Sequence, residues 1–224
     1  MCERLCCGRA FIISYMGIFM EEQIDWLRES AKAFAKLKNI RYELAIAHAG
    51  KLVELSIGFD NSHFHHIAGL HKLKDIDQLR LRRKRSTAVI FDEILRGKIS
   101  LATIEHSDFL NSKLIERIKL AGQLEHILDA NNQLFSFDAR YGQARFSAIP
   151  ADYIITDAGK NIAIYVFLSK DGESCYITRS LFRDAKDYTE GQHRFTILNK
   201  KKVNTKTKES TVLYSSLKNV AELA

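Results

Sequence analysis

The chain of 224 residues contains a single proline, Pro150, and only eleven glycines. Linkers between domains are commonly rich in one or both, and no such segment divides this sequence. Four cysteines are present, Cys2, Cys6, Cys7 and Cys175. Three crowd one end, so they form no disulfide framework, and a zinc set would have to recruit histidines at odd spacing. That usage fits a reducing, cytoplasmic setting. Long apolar runs are also missing. AFIISYMGIF at residues 10–19 is about half the roughly 20 residues a membrane span requires. No small-residue cleavage site follows MCERLCCGRAF, as a signal peptide would need. Internal repeats, low-complexity tracts and an HExxH metal motif are absent, and nothing in the composition implies a cofactor.

What is present is 46% hydrophobic and 27% charged, with a formal net charge of +7. The first figure excludes a disordered chain, and the net charge favours an acidic partner such as nucleic acid. Residues 1–19 read as an appendage, and residues 20–224 as one domain beginning near Met20, where an acidic first turn suits a helix start.

Ile24, Leu27, Ala31, Phe34 and Leu37 recur at helical spacing over residues 21–38. RYELAIAH and KLVELSIGF alternate around an Ala-Gly pair and predict an antiparallel hairpin. Asp60, Asn61 and Ser62 form a capping cluster for a helix through FHHIAGLHKL. TAVIFDEILRGK predicts a short helix. SDFLNSKLIERIKLAGQLEHILDAN predicts a longer one, capped by Ser107 or Asp108 and stopped at Asn131 and Asn132. The period then changes from helical to alternating. LFSFDAR, ADYIITD, NIAIYVFLSK, SCYITRSLF, HRFTILNKKKV and STVLYSS read as strands, separated by turn residues. Helices and a hairpin followed by a mostly antiparallel sheet make an α+β fold.

Three stretches carry candidate chemistry. In FHHIAGLHKLKDI the histidines His65, His66 and His71 follow His63 closely. Two ligands on one helical face do not make a zinc site, and the ordinary reading is a pair of partly buried, hydrogen-bonded rings. Gly69 costs about 1 kcal/mol inside a helix, so it marks a close approach of backbone or ligand. His71 beside Lys72 pairs a group that titrates near neutrality with a fixed cation. LRLRRKR at residues 79–85 is either a solvated face or a phosphate track made by Arg80, Arg82, Arg83, Lys84 and Arg85. The third stretch, RSLFRDAKDYTEGQHRFTILNKKKV, gathers more polar side chains than a plain hairpin needs, and capping by Asp187 and Thr189 explains part of that.

Together FHHIAGLHKLKDI and LFRDAKDYTEGQHRFTILNKKKVNTKTKESTVLY resemble the fourth family of phage-encoded nuclease domains in the barnase–EndoU–colicin–RelE group. The matching positions are Phe64, His66, Gly69, Leu70, His71, Lys72, Leu73 and Asp75, then Phe182, Arg183, Asp187, Tyr188, Thr189, Gln192 and Thr196. Phe182 stands where that pattern has a proline. The likeness spans about residues 20–214. It implies a metal-independent ribonuclease or toxin-like RNA-cleaving domain of phage or prophage origin. In that reading His71 is the acid/base, His66 its partner, and Lys72 and Arg183 hold the scissile phosphate. Gln192 and Thr196 bind phosphate or transition-state oxygens, and Tyr188 stacks on a base or donates a proton. RNA or another nucleic acid is the expected partner, with a host or immunity protein as a further one and no membrane. Two other readings stay open: a non-catalytic nucleic-acid- or protein-binding phage factor on the same scaffold, and a structural phage protein.

Overall fold

A computed structural model describes residues 24–48, 50–145, 149–157 and 162–216. The appendage assigned to residues 1–19 therefore lies outside the described residues.

Helix α1 (Trp26–Ala35) begins at Asp25, whose carboxylate accepts from Arg28 N at 3.2 Å, and runs on into a 3-10 turn over Lys36–Asn39. It buries Leu27, Ala31 and Phe34, whereas Ile24 precedes the cap and is 53% exposed. The apolar stripe thus starts one turn later than the sequence period suggests. Strands β1 (Ile40–His48) and β2 (Lys51–Gly58) form the expected hairpin. Tyr42, Leu44 and Ile46 alternate inward while Arg41 and Glu43 remain exposed.

The helix expected through FHHIAGLHKL is broken. Helix α2 covers only Phe64–Ile67, and a separate 3-10 turn follows over Leu70–Lys72. Helix α3 (Thr87–Leu95) is capped by Ser86, and a four-residue helix, α4 (Leu101–Ile104), lies between it and the next long one. The helix expected from Ser107 onward instead starts at the Asn111 cap and divides into α5 (Ser112–Gly122) and α6 (Leu124–Asp129). A side chain at Gly122 would meet the Ser30 backbone at 2.9 Å, so α1 and α5 cross where only glycine fits.

The remaining strands are β3 (Gln133–Ser136), β4 (Tyr153–Thr156), β5 (Ala163–Lys170), β6 (Cys175–Asp184), β7 (Arg194–Asn204) and β8 (Ser210–Ser215). They lie where alternation predicted them. Sheet order is β1-β2-β6-β5-β4-β3-β7-β8, and an additional β1–β7 pairing closes seven of the strands into a barrel. All pairs are antiparallel except β2 with β6. At 11 residues, β7 is long enough to pair β3 at its start and β8 farther along, while also pairing β1. The α+β class holds, and the hairpin belongs to the same sheet as the later strands.

The main core joins the helical layer to the barrel. Phe34, Phe64 and Phe91 meet there with ring centroids 5.2–6.2 Å apart, all at or below 1% exposure. Burying one such ring contributes about 1.5–3 kcal/mol. A smaller core packs Phe137, Ile154, Tyr165 and Phe167 against Phe182 and Tyr188. Strand β5 serves both cores, sending Val166 and Leu168 to one and Tyr165 and Phe167 to the other.

Candidate active site

Asp60 starts the histidine segment. Its carboxylate accepts from Ser62 N at 2.8 Å, and its own N–H donates to His63 Nδ1 at 3.2 Å. Within α2 the buried histidine is His65, 2% exposed, with Nε2 3.2 Å from Leu79 O. His66 and His71, for which partial burial was the ordinary expectation, are both exposed. Gly69 explains the break between α2 and the turn that follows. Its φ is +77°, and an added Cβ would lie 2.6 Å from Leu114 Cδ1 and 3.1 Å from Arg117 Cδ. The close approach is therefore that of α5. Arg117, only 6% exposed, donates Nε to Ile67 O at 2.8 Å and Nη2 to His66 O at 2.6 Å. These bonds tie α5 to the end of α2, where His66 O also accepts from Gly69 N at 3.1 Å.

The break sets His66 and His71 side by side, with ring centroids 4.8 Å apart. They open onto a cleft of about 820 Å³ between the helical layer and β6. From the helical side come His66, His71, Lys72, Lys113 and Arg117; from β6 come Arg179, Arg183 and Asp184; Tyr188 follows in the next loop. Leu168 pairs with Thr178 while Phe167 pairs with Ser180, so Arg179 is the extra residue of a β-bulge. Bulges re-aim a side chain away from the regular pleat, and this one adds a guanidinium to the cleft.

Burial, and after it the neighbouring charges, sets the protonation of the site. Both imidazoles are accessible from the cleft, yet enough protein surrounds them to desolvate the charged form. That burial lowers His71 to about 4, with His66, Arg117 and His65 adding to the effect and the His65 carbonyl opposing it. His66 is lowered by burial and then by Arg179 and Arg117. Lys72 is lowered by burial and by Arg117. Tyr188 moves the other way. Burial, then the charge and hydrogen bonding of Asp184, push its phenol up to about 12. Its OH donates to Asp184 Oδ2 at 3.4 Å, and its ring meets Tyr165, Phe167 and Phe182 at 5.1–5.6 Å. Arg183 Nη1 lies 3.2 Å from Glu116 Oε1. At neutral pH the cleft thus presents neutral imidazoles, a protonated phenol and several fixed cations.

Of the residues singled out from sequence, His66, His71, Lys72, Arg183 and Tyr188 share this cleft. Gln192 and Thr196 do not line it. The Gln192 carboxamide accepts from Asp138 N at 2.9 Å and donates to Asp138 O at 2.8 Å, a two-point clamp on the backbone. Thr196 lies on β7 beside another cleft, with Asn132, Arg194 and Tyr214. Asp187 accepts from both N and Oγ1 of Thr189, bracing the loop that carries Tyr188. None of residues 80–85 lines the cleft. Arg80 and Arg82 pair with Asp77 at 3.0 and 3.4 Å, and Arg85 pairs with Glu93. Arg83 and Lys84 are exposed.

Sequence reasoning missed Arg117, Arg179, Lys113 and Phe109. A signal existed for Arg117, which interrupts the apolar stripe of Leu114, Ile118 and Ala121. Arg179 had none, because a bulge depends on partner register. Among the described residues no group of three or more His, Cys, Asp or Glu is placed to hold a metal ion, and no helix is long and apolar enough to cross a membrane.

Residues 26–217 match the family phage-Barnase-EndoU-ColicinE5/D-RelE like nuclease 4. The chain belongs to that family. Neither the curated proteins nor the solved structures contain a match to it. Both segments that carried the resemblance fall inside the family match, and together they supply His66, His71, Lys72, Arg183 and Tyr188 to one cleft.

Proposed function

We propose that this nuclease-like domain binds RNA in the cleft and cleaves it by transesterification without a metal ion. One observation carries the reading: His71 and Tyr188 line the same cleft with protonation pushed in opposite directions. Burial holds both in their neutral forms, so the imidazole is free to take a proton and the phenol has one to give. Neutral His71 takes the 2′-hydroxyl proton as the 2′-oxygen attacks phosphorus and the P–O5′ bond breaks. Tyr188, which keeps its proton at neutral pH, donates it to the departing 5′-oxygen. Lys72, Arg179 and Arg183 face the phosphate and stabilise charge on its non-bridging oxygens. His66, ring beside ring with His71, orients it. Products are a 2′,3′-cyclic phosphate and a 5′-hydroxyl.

The test is incubation of the full chain with mixed RNA in EDTA, beside His71→Ala. Cleavage that survives chelation, leaves cyclic phosphate ends and falls about 10²–10⁴-fold in the variant supports the proposal. Loss in EDTA with recovery on adding magnesium or zinc contradicts it. A second reading, a non-catalytic binder on the same scaffold, is favoured by the Arg183–Glu116 ion pair, which a phosphate must displace before Arg183 can act. Tight RNA binding with no cleavage would select it.

A further inference from the structure

We infer that Phe109 is a nucleobase-stacking subsite at the edge of the cleft, held in place by Asp75, which makes the ligand a single-stranded nucleic acid. The inference rests on the phosphate-binding reading of the cleft and extends it to the base.

Phe109 lines the cleft with its side chain 48% exposed. It meets no other aromatic ring among the described residues. A solitary exposed phenylalanine is ordinary on a protein surface, but the turn that carries this one is braced. Asp75 Oδ1 accepts from Ser107 Oγ at 2.6 Å and Oδ2 accepts from Asp108 N at 2.8 Å. Ser107 Oγ in turn accepts from Phe109 N at 3.2 Å, and Leu110 N donates to Ser107 O at 3.1 Å. Both carboxylate oxygens of Asp75 are thus engaged in fixing the turn that presents the ring.

Asp75 lies only three positions beyond Lys72, so one short segment supplies a cation to the cleft and anchors the apolar ring at its edge. Asn111 lines the same cleft. Its carboxamide oxygen accepts from Leu114 N at 3.0 Å, and its NH₂ group is left to donate to a base edge. Phosphate-binding cations beside an aromatic face carried on a braced turn form the combination that grips single strands, because only an unstacked base offers its face. A duplex does not expose that face, and a simple polyanion has none.

The experiment measures binding of the full chain in EDTA to two probes of equal length and equal phosphate number. One is single-stranded 2′-fluoro RNA, which lacks the attacking hydroxyl; the other is an abasic strand. The wild type is expected to bind the base-bearing strand more tightly. Phe109→Ala should bind that strand roughly 5- to 100-fold more weakly and the abasic strand unchanged, while Phe109→Trp retains the preference. Asp75→Asn should weaken base-bearing binding and leave abasic binding alone, as a positioning residue would. Phe109→Ala behaving like wild type on both probes, or weakening equally on both, overturns the subsite while the phosphate cleft stands. A wild type that binds neither probe overturns the cleft reading and the subsite with it.

Discussion

Two basic regions of this molecule have opposite fates. Residues 80–85 hold five cations in six positions, yet Arg80, Arg82 and Arg85 are tied to Asp77 and Glu93, and Arg80 and Arg85 also donate to Lys74 O and Gln78 O. The cleft draws Lys72, Arg117, Arg179 and Arg183 from three elements far apart in sequence, with Glu116 paired to one of them. Its field falls on two histidines; Glu116 engages Arg183, while Asp184, which also lines the cleft, accepts from the Tyr188 OH. Density of charge along a chain therefore says little about charge available to a ligand. Where the carboxylates lie decides.

The strongest way to break the comparison is at Gly69, which lets α5 close the cleft wall. Gly69→Ala should destabilise the domain by about 2–4 kcal/mol, combining the left-handed backbone with overpacking against Leu114 and Arg117. A urea titration checks this, and an unchanged midpoint would mean that α5 yields. Next in size is the salt dependence of RNA binding. Lys72→Gln with Arg179→Gln should reduce the log–log slope by about 0.7 for each phosphate of a single strand that is no longer neutralised. Neutralising Arg82, Arg83 and Lys84 together should change it less than either cleft substitution alone. A larger change would return the 80–85 segment to the binding surface. The smallest effect is on stability against pH. His71 binds its proton less readily in the folded chain than at its ordinary 6.5, so the unfolded chain takes up more protons on acidification. Its contribution is complete above pH 6.5 and is lost as pH falls through about 4. Thermal midpoints of wild type and His71→Gln should converge over that window.

Much of the fold was legible from period alone. The hairpin and the six later strands fall where alternation placed them, since a half-buried strand must alternate. The breaks were less legible. FHHIAGLHKL carries a helical pattern, but Gly69 adopts a left-handed backbone because Leu114 and Arg117 occupy the space a side chain would need, and those competitors lie far along the chain. Barrel closure through β1 and β7 joins residues from the two ends of the fold, which local pattern does not encode. Of the candidate site, His66, His71, Lys72, Arg183 and Tyr188 were named because their two segments resemble the family pattern; their types alone showed only that suitable groups were present. Gln192 fitted the same pattern and serves as a backbone clamp, a distinction that only a bonding partner reveals.

The central claim is that a cleft which desolvates His71 and surrounds it with cations holds its imidazole neutral, and that a bound phosphodiester strengthens it as a base. An NMR titration of the His71 ring in the full chain, alone and with an uncleavable dinucleotide, tests it most directly. The account predicts a midpoint well below 6.5 and near 4 in the free protein, rising when the phosphodiester neutralises its neighbours. A midpoint at or above the ordinary 6.5 in the free protein, unmoved by the dinucleotide, would contradict it.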